Sequence, residues 1–190
     1  MSVPFNANIK EYLYGVGSLE RFAFMLASSV RLTEGLVHYL DSLGVERCVC
    51  AGISLGGWIT NLHHCFYDSC SEYRPIFAGA APDHLFTETV YRKLLAGGAE
   101  TAGGAEVPET VDTPDTAVKI RGAINFEEEF AGRDNKNVFP CMARYDQYIR
   151  FERQAQIYRP ENIRILDRGH TTGAASHGQL ALHLFEGGRF

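Results

Sequence analysis

A single serine stands between glycines in Gly52-Ile53-Ser54-Leu55-Gly56, and a further glycine follows at position 57. The stretch comes after a short apolar run at residues 47–53 (RCVCAGI) and before a segment of helical character, GGWITNLHHCFYD. In that setting a G-x-S-x-G pattern puts its serine on a sharp strand-to-helix turn, with the hydroxyl presented for nucleophilic attack. Gly52 and Gly56 are expected to leave the turn the room it needs. Gly57 lets the following helix approach the sheet. The Leu55 N–H, at the head of that helix, points where a developing oxyanion would lie. The plainer alternative is a glycine-bearing turn whose serine is incidental.

A serine hydroxyl needs a base, and the base needs an acid to orient it. On a parallel sheet of this type the expected chain order is serine, acid, histidine, each at the C-terminal end of a strand. Asp146 in MARYDQYI and His170 in ILDRGHTTG fall in that order, each just past an apolar run. Asp146 has a second reading as the cap of a helix beginning near Gln147. Asp83, in GAAPDHLF, is the alternate acid, and Asp167 reads as structural. His177 is the alternate base, although its place at the start of the last helix suits a cap, and His183 reads as core. His63 and His64, next to Cys65, suggest metal at first sight. Adjacent helical residues point apart, however, and no second ligand pair follows at a useful spacing, so no metal is expected. Cys48 and Cys50 read as small hydrophobes on one side of a buried strand. The Gly15 and Gly17 of YGVGSLE lack a third glycine and a preceding strand, so no dinucleotide site is expected, and no cofactor.

The elements that must carry these residues follow from periodicity. Residues 1–17 read as an irregular lead-in. Apolar side chains recur at three- and four-residue spacing over 18–43, predicting a long helix that ends at Gly44. Residues 47–53 do not alternate with polar residues, which predicts a strand covered on both faces. Further strands are expected in RPIFAGAAP, KNVFPCMARYD and NIRILDRGH. Helices are expected after residue 54, over 84–95 and 116–131, in YIRFERQAQIYR and in SHGQLALHLFEGG. Residues 96–114 have no hydrophobic period and read as a surface excursion, and a lid is possible over 96–131. Strands alternating with helices predict an α/β fold: three layers, with a mostly parallel sheet of about four strands between helices.

The chain resembles the C-terminal part of α/β-hydrolase-fold proteins through GISLGG, ARYDQYI and RGHTTG, and the likeness runs from the helix before the serine to the last helix. It implies Ser54 as nucleophile, Asp146 as acid, His170 as base and the Leu55 N–H as one oxyanion donor. It also implies earlier strands, with a loop that supplies the second oxyanion donor, for which the residues before position 47 leave no room. The serine-bearing strand is therefore expected at a sheet edge, where an apolar strand invites pairing, and a homodimer or higher homo-oligomer follows. Two functions stay open: a small serine hydrolase acting on an ester or acyl substrate, and an impaired remnant serving as a binding or assembly module.

Composition sets the outer bounds. A chain of 190 residues predicts one domain, burying roughly 70% of its unfolded surface. At 45% hydrophobic, 22% charged and net charge -5 it has no electrostatic reason to seek nucleic acid. No apolar run approaches a membrane span, and no leader is visible in MSVPFNANIK. The five cysteines suit a reducing cytoplasm better than a disulfide framework.

Overall fold

A computed structural model describes residues 8–89, 91 and 114–185. They fall into two compact units, the first formed by Met1–Arg31 with Ala81–Asn125 and the second by Leu32–Ala80 with Phe126–Phe190.

The first unit is helical among its described residues. Helix α1 (Ile9–Val16) begins where Asn8 Oδ1 accepts from the Lys10 and Glu11 amides at 3.0 and 3.1 Å. The expected irregular lead-in is therefore partly a helix. An N-cap asparagine explains the difference, because the same residue type serves loops and helix starts alike. The first half of α2 (Leu19–Ser42) buries Phe22 and Met25, with the Phe22 ring edge-on to Phe86 of α4 (Asp83–Glu88) at 4.8 Å. The helix expected over 84–95 is shorter among the described residues: the backbone is extended at Thr89. The helix expected over 116–131 is two, α5 (Pro114–Ile124) and α6 (Glu127–Ala131), interrupted at Asn125 and Phe126. Asn125 Nδ2 donates to Asp83 Oδ1 at 2.7 Å. Of the possible lid, residues 96–113 lie outside the described residues.

Among its described residues the second unit holds four parallel strands in the order β1-β2-β3-β4: β1 (Val49–Ile53), β2 (Glu72–Ile76), β3 (Cys141–Ala143) and β4 (Arg164–Leu166). The fold is α/β, a four-stranded parallel sheet flanked by helices. Register assigns the two faces. Tyr73 faces α3 (Leu55–Phe66), where its hydroxyl meets His63 Nδ1 at 3.2 Å. Ile76, Cys141, Ala143 and Leu166 face the other way and form a core with Leu180 of α9 (His177–Phe185). Between β3 and β4 the expected helix is reduced to α7 (Phe151–Gln154) and a 3-10 turn at Ala155–Ile157.

Burial on β1 differs from expectation. Val49, Ala51 and Ile53 are exposed while Cys50 and Gly52 are half-buried, so the strand is not covered on both faces. The cause is its position: among the described residues β1 is the edge strand, and the α9 core is built on β2, β3 and β4. An apolar run without alternation reports strand apolarity, and burial depends on neighbours. Among the described residues, no helix is long and apolar enough to cross a membrane.

Candidate active site

Ser54 sits between β1 and α3 with φ 55 and ψ -112, a backbone conformation an L-residue avoids. Two hydrogen bonds clamp it there, Ser54 N–H to the Ile76 carbonyl at 2.8 Å and Trp58 N–H to the Ser54 carbonyl at 3.1 Å. The glycines around it have separate reasons. A Cβ on Gly52 would overlap the Gly56 carbonyl, and one on Gly57 would lie 2.6 Å from Ala78 Cβ and 2.9 Å from the Ile76 carbonyl oxygen. A Cβ on Gly56 would meet nothing within 4 Å. The expectation that Gly56 needs its missing side chain is thus corrected: what is crowded there is its backbone, against Gly52. Leu55 heads α3, so its N–H is among the amides that a helix start leaves without an intrahelical acceptor.

Three residues distant in sequence converge. Ser54 Oγ is 2.9 Å from His170 Nε2, and His170 Nδ1 is 2.7 Å from Asp146 Oδ2. The Asp146 side chain is almost wholly buried, while His170 keeps a small exposure. The helix that the alternative reading of Asp146 expected it to cap does not begin near Gln147: residues 147–149 form bends and α7 starts at Phe151, so Asp146 orders a loop instead. Its Oδ1 accepts from the Tyr148 and Ile149 amides at 2.8 and 2.9 Å, so one carboxylate both folds its loop and holds the imidazole. The acid loop and the histidine loop are joined by two backbone bonds, Arg144 N–H to the Leu166 carbonyl at 2.9 Å and Tyr145 N–H to the Arg168 carbonyl at 3.0 Å. His170 is the first residue of α8 (His170–Ala174), after Gly169, whose amide donates to Thr172 Oγ1 at 3.0 Å.

Two rings bracket the imidazole, and neither was singled out from the sequence. Tyr148 stands at 87° to His170 with centroids 5.1 Å apart, and Phe77 lies 5.8 Å away. Phe77 is fully buried with φ 49, and a Cβ on Gly173 would lie 2.6 Å from its ring. Its place two residues before Gly79 carries no sequence signal for such a backbone. The segment after Phe77 is pinned from several sides. Asn61 Nδ2 donates to the Gly79 carbonyl at 2.8 Å, the Tyr158 hydroxyl to the Ala78 carbonyl at 3.1 Å, and Ala80 N–H to Gln154 Oε1 at 2.7 Å.

The other candidates are engaged elsewhere. Asp83 pairs with Asn125, Asp167 is exposed and pairs with Arg144 at 2.6 Å, and His177 is an exposed first residue of α9. His183 is buried in α9. His63 Nε2 meets Glu34 Oε2 at 3.0 Å, and His64 Nδ1 meets Asp68 Oδ1 at 3.0 Å. Burial is the main cause that pushes both imidazoles below their usual range. Among the described residues no group of three or more His, Cys, Asp and Glu could hold a metal ion.

Comparison with protein-family models gives no match, and comparison with curated protein sequences gives none either. In three dimensions the chain is similar to the crystal structure of a hydrolase from Pseudomonas aeruginosa PA01. The TM-score is 0.50 at 14% sequence identity, over 89% of this chain and 71% of that one. Likeness at that identity speaks for the fold.

Proposed function

We propose that the chain is a serine hydrolase of the α/β-hydrolase superfamily, acting on a small ester or acyl substrate through an acyl-enzyme on Ser54. One observation carries the reading: the unbroken relay Ser54 Oγ–His170 Nε2–His170 Nδ1–Asp146 Oδ2, at 2.9 and 2.7 Å, on a serine with strained backbone angles. The fold likeness to a protein described as a hydrolase supports it.

In this reading His170 Nε2 takes the Ser54 proton as Oγ attacks the acyl carbon. Asp146 fixes the tautomer with the proton on Nδ1 and stabilises the imidazolium. The Leu55 N–H donates to the oxyanion. His170 then returns its proton to the departing alcohol, and water, activated by the same nitrogen, releases the acid. General base catalysis of this kind contributes about 10²–10⁴-fold. In a known serine protease, loss of one oxyanion donor costs about 10²–10³-fold. The five free cysteines are compatible with a reducing, cytoplasmic setting.

A second reading has its own observation. Among the described residues the serine-bearing strand is the sheet edge, with Val49, Ala51 and Ile53 exposed, which favours a module kept for binding or assembly. In either reading the proposed partner of the β1 edge is a second copy of the chain. Turnover of a p-nitrophenyl ester separates the two. The hydrolase reading expects activity that falls to background in both Ser54→Ala and His170→Ala. Turnover equal in wild type and both variants overturns it.

A further inference from the structure

Two observations set Phe77 apart from an ordinary core side chain. The first is its backbone. A φ of 49 is a genuine outlier for a bulky residue, and packing a ring does not require it. The peptide between Ile76 and Phe77 is held from both sides. The Ile76 carbonyl accepts from Ser54 N–H at 2.8 Å, and Phe77 N–H donates to the Cys141 carbonyl at 2.8 Å. The chain just beyond is held too, by Asn61 at the Gly79 carbonyl and by Tyr158 at the Ala78 carbonyl. The left-handed turn at Phe77 joins these two fixed stretches. Strain of this kind persists only where its surroundings over-determine it, and it clusters at functional sites.

The second observation is where the ring goes. It is fully buried and lies 5.8 Å from the His170 ring, inclined at 54° to it. It also fills the space beside Gly173, where a Cβ would come within 2.6 Å of Phe77 Cζ. Gly173 N–H donates to the Gly169 carbonyl at 2.8 Å, so the ring packs against the same turn that presents His170. Phe77 therefore shares a peptide with the carbonyl that clamps Ser54, and its ring meets the imidazole that hydrogen-bonds Ser54 Oγ.

We propose that Phe77 is a positioning residue, whose ring holds the His170 imidazole in line between Ser54 Oγ and Asp146 Oδ2. The proposal rests on the hydrolase reading for its effect on turnover, though not for its effect on the imidazole. A single hydrogen bond from Nδ1 to Asp146, at 2.7 Å, leaves an imidazole free to swing about that bond. Contact with the rings of Phe77 and Tyr148 limits the swing. Because it is fully buried, Phe77 does not meet a substrate and acts through His170.

The test compares Phe77→Leu with Leu180→Ala, a loss in the same core away from the imidazole. A fluorophosphonate counts the reactive serines, and p-nitrophenyl ester turnover is expressed per serine counted. In Phe77→Leu, kcat should fall on the order of tenfold with KM unchanged, as expected when a reacting group is misplaced and substrate binding is not. A second readout needs no turnover. The proton on His170 Nδ1 should give an imidazole N–H resonance in wild type and in Leu180→Ala, and exchange with water should erase it in Phe77→Leu. Gly173→Ala approaches the same contact from the other side and should also lose the resonance, even where Phe77→Leu folds poorly. Because leucine leaves room for the new methyl, the double variant should turn over no more slowly than Phe77→Leu alone. A Phe77→Leu chain that keeps the resonance, a Leu180→Ala chain that loses it, or a wild type that lacks it overturns the proposal. If wild type neither takes the probe nor turns over the ester, the hydrolase reading fails and the resonance alone decides the role of Phe77.

Discussion

Ser54, the proposed nucleophile, sits in a backbone conformation that costs about 1–3 kcal/mol, and the surrounding glycines make that conformation reachable. They are not equivalent, which gives a sharp comparison. Gly52→Ala should destabilise by about 3 kcal/mol or more, because its methyl would collide with backbone that has no rotamer to change. Gly56→Ala should be neutral or stabilising by up to about 1 kcal/mol, since its methyl meets open space in the first turn of a helix. Chemical denaturation of both variants checks the pair, and equal losses would contradict the account of the elbow. Much of this site was legible in the sequence. A serine between glycines, an aspartate and a histidine each past an apolar run, in that order, meet within hydrogen-bond distance. Asp146 caps no helix; one of its oxygens meets His170 and the other orders the loop through the Tyr148 and Ile149 amides. Phe77 and Tyr148 were not legible, since a ring's contact with the imidazole depends on loop paths that residue types do not encode.

At the scale of elements, α9 closes the sheet face opposite α3, just downstream of the helix that His170 begins. Arg74 of β2 ties its C-terminal end: the guanidinium donates to the His183 carbonyl, and to that of Leu184 at 3.1 Å. His183 inside α9 is held neutral and pushed down to about 4, chiefly by burial and further by the cations Arg74 and Arg164. Between its usual 6.5 and about 4, the unfolded chain binds a proton here that the folded chain does not. Its contribution to stability is therefore present above pH 6.5 and lost as pH falls toward 4. His63 and His64 shift in the same direction. Replacing His183 by Leu should remove up to about 3 kcal/mol of the stability change across that window. Unfolding free energies measured at several pH values test this, and an unchanged pH dependence in His183→Leu would contradict it. Periodicity located most elements but misjudged their ends. Helix α1 was missed because Asn8 suits a loop as well as a cap. The stretch around Asn125 and Phe126 breaks one predicted helix into two because Phe126 N–H bonds the Ala80 carbonyl at 2.9 Å.

For the molecule as a whole, the parallel order β1-β2-β3-β4 leaves the strand that leads into Ser54 with one neighbour among the described residues. Its exposure was not legible in the sequence, because apolar composition alone does not say what covers a strand. Val49, Ala51 and Ile53 face outward with no lysine or proline to discourage pairing. Light scattering at micromolar concentration should find a dimer or larger assembly, and Ala51→Lys should shift it toward monomer. A wild-type monomer under those conditions would contradict the edge argument. The central claim concerns Ser54 itself, and a fluorophosphonate probe tests it most directly. The account predicts one adduct per chain, mapped to Ser54, lost in Ser54→Ala and strongly slowed in His170→Ala. A folded chain that takes up no probe, or takes it up at another residue, would contradict it.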